Sequence, residues 1–179
     1  MIVNLDFETK SRIDLKKTGV HIYADDASTD IWCLCYSIDR GPIRDWHPGL
    51  ALPADLLTAI ALGAEFHAWN AQFERTIWRA IMVPRYGFPA IPLDRWHCTM
   101  AAAYAMGLPG SLEQCASALK ARVGKDIEGH RLMLRMCRPR KTLDDGTLVW
   151  WDDPDKIDRL IKYCRRDVEV EQLMATVIT

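Results

Sequence analysis

The sequence predicts an α/β domain built on one five-stranded mixed sheet flanked by helices. Three observations lead to it. Two apolar runs of strand length, residues 2–8 and 30–38, with a short return at 43–46, read as a three-stranded meander. Strand-like segments at 65–69 and 96–99 then alternate with segments of helical period. The chain finishes in one long amphipathic pattern over 155–177. A meander supplies antiparallel neighbours and strand–helix alternation supplies parallel ones, so the sheet is mixed.

Taken in order, residues 2–8 form a strand, and 30–38 follow with β-type residues. Asp39-Arg40-Gly41-Pro42 is turn chemistry, and Ile43 to Trp46 returns as the third strand. Residues 53–62 alternate at helical spacing until Gly63. Residues 65–69 are a short fourth strand. Residues 71–82 read as a helix, with Phe73, Ile77 and Ile81 on one side, stopped by Pro84. Residues 96–99 are the fifth strand, 100–106 a short helix, and Ser111 caps another over 111–120. Leu143 to Trp150 is a small hairpin around Asp145-Gly146. The last helix buries Ile157, Leu160, Ile161, Cys164, Val168 and Leu173. With no repeat, low-complexity tract or linker, residues 1–179 read as a single domain.

At 49% hydrophobic and 26% charged, the chain is expected to be globular rather than disordered. No apolar run approaches the roughly 20 residues of a membrane span, and no secretory leader is expected, with acidic residues from position 6. The net charge of −1 announces no global basic field, although a local patch suffices for nucleic acid. The six cysteines include no C-x-x-C pair, which argues against a zinc site. Cys33 and Cys35 share a strand face as small core hydrophobes, and a reduced cytoplasmic protein fits them.

Three clusters carry chemistry. Asp6 and Glu8 lie two apart on a strand, hence on one face. Two carboxylates that close raise each other's pKa, and a divalent cation or a solvated surface position would account for them. Asn70 and Glu74 share the first turn of a helix, where Asn70 serves as a cap or a contact and Glu74 favours the helix dipole or ligates. Tyr163 and Asp167, four apart on the last helix, face the same way.

With these motifs, Asp6-x-Glu8, Asn70-x-x-x-Glu74 and Tyr163-x-x-x-Asp167, the chain resembles the DEDD superfamily of 3′→5′ exonucleases in its tyrosine-bearing branch. It is most similar to the proofreading domain of family A DNA polymerases, especially phage-type ones, from residue 3 to about residue 170. The resemblance implies an RNase H-like fold in the cytoplasm of a bacterial or phage-infected cell. It implies two divalent cations, Mg²⁺ or Mn²⁺, held by Asp6, Glu8, Glu74 and Asp167. On this pattern Asp6 bridges the metals, Glu8 and Asp167 complete the nucleophile side, Glu74 serves the leaving-group side, and Tyr163 orients the attacking water. Glu74 departs from the family's usual aspartate; its extra methylene opens the metal preference, because Mg²⁺ demands a strict octahedral shell.

The resemblance implies a single-stranded or frayed DNA 3′ end as partner, with RNA also open, and a DNA polymerase module in cis or in trans. Phe7, Thr9, Asn70 and Phe73 are candidates to touch the terminal nucleotide; core packing is the competing reading for the two phenylalanines. Arg131, Arg135 and Arg138 recur at i, i+4, i+7 as a basic helical stripe, either a solvated face or a phosphate track. His67 and His97 read as structural, and Trp150 and Trp151 are a candidate pair for stacking on unpaired bases. The final helix runs to Thr179 without a stop signal, which suggests a domain that docks to or derives from something larger. The alternatives are a 3′→5′ exoribonuclease of the same superfamily and a non-catalytic single-strand binding module.

Overall fold

The structure, a computed structural model, describes residues 1–121 and 126–178. Its centre is a five-stranded sheet of β1 (Ile2–Lys10), β2 (Asp30–Ile38), β3 (Arg44–Trp46), β4 (Glu65–Ala68) and β5 (Trp96–Cys98) in the order β3-β2-β1-β4-β5. β1 runs antiparallel to β2 and parallel to β4; β2/β3 are antiparallel and β4/β5 parallel. This is the expected mixed α/β sheet flanked by helices, in an arrangement consistent with an RNase H-like fold.

The period of two in β1 sorts the molecule. Val3, Leu5 and Phe7 enter the main core with Leu34 and Tyr36 of β2 and Phe66 of β4. The helices α1 (Leu15–Asp25), α2 (Ala54–Ala61) and α3 (Ala71–Ile77) cover that face. Trp78 sits at its centre, with ring contacts to Phe7, Phe66, Phe88 and Trp96. Burying a large apolar side chain of this kind stabilises the fold by about 1.5–3 kcal/mol. The alternate residues of β1, Asn4, Asp6 and Glu8, face the other way, toward the long helix α8 (Pro154–Ile178). Cys33 and Cys35 of β2 pack there on Cys164 and Val168, as small core hydrophobes should. All six cysteines are free thiols.

One helix has no counterpart in the sequence reading, and three local expectations need correction. The helix α1 has no clear signal in the sequence: Gly19 interrupts it at φ 77°, and only Tyr23 and Ala24 are buried. Pro84 does not stop the third helix. The chain widens into a π turn over Trp78–Met82, the Val83 N–H reaching back to Trp78 O, and continues as α4 (Val83–Tyr86) until Gly87 closes it at φ 75°. The wider ladder absorbs the missing proline N–H. After α5 (Thr99–Ala105) and α6 (Leu112–Ala118), the basic segment forms α7 (Ile127–Met136), which ends before Arg138. The hairpin is present but short, β6 (Lys141–Thr142) with β7 (Leu148–Val149), turning at Gly146. Its neighbours Trp150 and Trp151 pack with Trp32, Met136 and Leu160, so they anchor the hairpin rather than form an open stacking platform. The long helix fills its expected span, and Thr179 lies outside the described residues. Among the described residues no helix is long and apolar enough to cross a membrane.

Candidate active site

The carboxylates of motif order meet where β1, α3 and α8 converge. A register shift between Glu8 and Thr9 interrupts the β1–β2 ladder: Glu8 opposes Cys33, and Thr9 opposes Ile31. Such bulges re-aim side chains next to sites. Asp6 and Glu8 each bring a carboxylate oxygen within 4.8 Å of each other and of the Cys164 sulfur of α8. The Cys164 thiol donates to Asp6 Oδ2 at 3.4 Å, which pins the strand carboxylate to the helix.

Glu74 lies in the first turn of α3, directly after the end of β4, and is buried. Its Oε2 has no hydrogen-bond partner among the described residues. Asn70 occupies the N-cap position of α3, yet its side chain makes no capping bond. The capping explanation for Asn70 is therefore not realised. Asn70 instead lines a cavity of about 160 Å³ together with Asp6, Glu74, Asp167 and Glu171. Asp167 and Leu112 also line an adjoining cavity of about 200 Å³, walled by Tyr163, His130 and Asp126.

The electrostatics of this cluster are adverse. Burial first, and the Asp167 charge second, push the Asp6 carboxyl well above its ordinary value. Burial and then Asp6 do the same to Glu8 and to Glu74. Asp167 rises to about 7, chiefly from burial, with a hydrogen bond from Tyr163 opposing the rise. Tyr163 is itself held above the ordinary phenol range by burial and by the charges of Asp167, Glu8 and Asp6. It therefore remains a protonated donor at neutral pH, suited to hold a water or a phosphate oxygen and unsuited to act as a base. Its hydroxyl also lies 3.5 Å from His130 Nδ1.

One fully buried acid at the site has no place in the sequence motifs. Glu171 lies one turn beyond Asp167 on α8 and is 2% exposed. It accepts hydrogen bonds from Asn4 Nδ2 and, at 2.6 Å, from Thr99 Oγ1. Burial lifts its pKa to about 7. Its only sequence signal is the i+4 spacing from Asp167, which also places it on the buried side of the helix.

Other candidates lie elsewhere. Phe7 is on the opposite face of β1 from the carboxylates, buried against Trp78, because successive strand residues alternate. Thr9 is buried with its hydroxyl 2.8 Å from that of Tyr23. Phe73 packs half-buried on the main core beside Tyr23. These three residues are core elements rather than lining of the carboxylate cavity. Arg131 and Arg135 are exposed on α7, the helix that also places His130 against Tyr163. Neither arginine has an ion-pair partner among the described residues. Arg138 leaves the stripe: it lies past the helix end and pairs with Asp14 at 3.3 Å.

Crowded carboxylates with an orphaned buried oxygen are unstable as anions and suited to hard cations with oxygen ligands. Asp6, Glu74 and Asp167 line one cavity, and Glu8 stands beside Asp6 and Cys164, so these four are the carboxylates that could hold a divalent cation.

No family model matches the chain. It is 34% identical over 179 residues to a DNA polymerase of Bacillus phage SP02, an alignment that covers 95% of this chain and 26% of the polymerase. The chain is thus similar along almost its whole length to a phage DNA polymerase, and spans about a quarter of that protein's length.

Proposed function

We propose that this chain is a metal-dependent 3′→5′ exonuclease that shortens single-stranded or frayed DNA ends, the editing part of a polymerase system. The observation that carries the reading is the meeting of Asp6, Glu8, Glu74 and Asp167 from three elements beside a protonated Tyr163, with all four carboxyls pushed up by burial. Likeness to a phage DNA polymerase supplies the polymerase context.

Two divalent cations bound there would activate the attacking water and stabilise the leaving 3′ oxygen. Asp6 reaches the strand-side ligands from β1, with Cys164 fixing its carboxylate. Asp167, on α8, lines both cavities, which supports a role for it on the metal side and the water side together. The Tyr163 hydroxyl, hydrogen-bonded to Asp167 here, would turn to the attacking water once Asp167 holds a metal and so orient the nucleophile. Asn70, free of a capping bond, offers its amide to the terminal nucleotide. The exposed Arg131 and Arg135 supply sequence-independent phosphate contacts along α7.

The test uses 3′- and 5′-labelled DNA and RNA oligonucleotides with Mg²⁺, Mn²⁺ or EDTA. Stepwise loss from the 3′ end of DNA, abolished by EDTA and by Asp6→Ala, is expected. Binding without shortening in either metal, or undiminished rates in Asp6→Ala, overturns the proposal. Strong preference for RNA would reassign the substrate.

A further inference from the structure

At the far end of the sheet lies a second group of ligand-type side chains that the nuclease chemistry does not use. β4 and β5 are parallel neighbours, and their register sets His67 directly beside His97. The two imidazoles stack with centroids 4.7 Å apart and planes inclined by 27°. Glu65, two residues before His67, shares its strand face. Its Oε2 lies 3.7 Å from His67 Nε2 and 3.7 Å from His97 Nε2. Those distances are too long for hydrogen bonds.

Both Nε2 atoms are buried and, among the described residues, have no hydrogen-bond partner. His67 is 9% exposed. A buried polar atom without a partner costs stability unless something satisfies it, and here two such nitrogens aim at one carboxylate oxygen. Burial and the neighbouring His97 hold the His67 pKa down, against an opposing pull from Glu65, which favours the neutral ring.

We propose that Glu65, His67 and His97 form a transition-metal site, most suited to Zn²⁺, that clips the edge strand β5 to β4. Three ligand atoms around tetrahedral zinc, at bond lengths of about 2.0–2.2 Å, are separated by about 3.3–3.6 Å. The two 3.7 Å separations from Glu65 to the histidines need only a few tenths of an ångström of closure, and the two imidazoles would have to close on the ion as well. All three ligand atoms lie within 4.8 Å of one another. Imidazole nitrogen selects zinc and its neighbours over Mg²⁺, so this site and the all-carboxylate centre would take different ions. The exposed Glu65 leaves the fourth position to water and provides the entry side. In register Glu65 pairs with Ile2 of β1, about 13 Å along the strand from Asp6, while His67 pairs with Asn4, about 7 Å from Asp6 on the same face. The two centres use different ligands but are near neighbours, so the test must silence the carboxylate centre. Three residues long, β5 has little ladder of its own at the sheet edge, and a metal clip would add a constraint there.

The thiols of Cys33, Cys35 and Cys164 are the competing zinc ligands, but all three are fully buried with no exposed member to admit an ion.

The test takes the Asp6→Ala/Glu8→Ala chain, which silences the carboxylate centre, and titrates it with Co²⁺ and then Zn²⁺. One equivalent of Co²⁺ with a visible spectrum typical of nitrogen and oxygen ligands, displaced by Zn²⁺, is expected. Zn²⁺ should raise the melting temperature, and His97→Gln and Glu65→Gln should each weaken binding at least tenfold. Glu65 is exposed, so its variant folds whether or not the His97 variant does. Three results overturn the proposal: no stoichiometric binding, binding unchanged in Glu65→Gln, or a thiolate charge-transfer band that assigns the ion to the cysteines.

Discussion

Asp167→Asn offers a test of the adverse electrostatics that does not depend on catalysis. Burial raises the Asp167 pKa from 3.8 to about 7. The folded state therefore holds a proton that the unfolded chain has released, and stability falls as pH rises between about 4 and 7. Above that window the ionised carboxylate costs the fold an upper bound of about 4 kcal/mol. Asp167 is only partly buried, which screens the penalty, and asparagine loses the charge-assisted hydrogen bond from Tyr163. A net gain of about 1–2 kcal/mol is expected at pH 8. For a chain of this size that is a rise in melting temperature of about 2–8 °C. The assay is thermal unfolding in EDTA at pH 8 and at pH 5. The gain should largely disappear at pH 5, where wild-type Asp167 is protonated as well. Adding Mg²⁺ at pH 8 should stabilise the wild type and leave Asp167→Asn nearly unmoved, since the variant has lost a ligand. If Asp167→Asn is less stable than wild type at pH 8 in EDTA, or gains equally at both pH values, the account of the carboxylate cluster is wrong.

Three further expectations follow from the same geometry. Tyr163→Phe should slow 3′-end digestion about 10–100-fold while Mg²⁺ affinity, read by calorimetry, stays put; an unchanged rate removes the water-orienting role. Glu74→Asp should shift the ratio of Mg²⁺- to Mn²⁺-supported rates, and an unaltered ratio would show that the buried Glu74 does not touch a metal. Arg131→Ala with Arg135→Ala should weaken single-stranded DNA binding for every sequence and lower the salt dependence by about 1–2 in slope, whereas Arg138→Ala, whose partner is Asp14, should change neither.

Much of this was legible in the chain because its signals are local. The alternation in β1 announced a strand whose odd and even residues face different surroundings, and Asp6 and Glu8 fell on one face as that period requires. The spacing of Tyr163 and Asp167 on a long helix survives because few tertiary forces override a helix of 25 residues. Where the local signal was weak or contradicted, reading failed. Gly19 masked α1, and Pro84 would break an α-helix but not one that widens into a π turn first. Arg138 kept the helical spacing of Arg131 and Arg135, yet the helix ends before it.

By itself the sequence determined the sheet's strands, the face on which Asp6 and Glu8 stand, and the pairing of Tyr163 with Asp167, since each depends on a repeat of two or four residues. The packing of distant segments decided the rest. Glu171 became part of the cavity only because α8 lies across β1 and α5, where Asn4 and Thr99 hold its carboxylate. Phe7, Thr9 and Phe73 pack into the core instead of lining the carboxylate cavity, because the assembled layers claim their side chains. Asn70 lost its capping bond, and Glu65, His67 and His97 converged through the register of two strands whose relation no sequence period encodes. Burial is a property of the assembled layers, and burial first is what raises the carboxyls of Asp6, Glu8, Glu74 and Asp167.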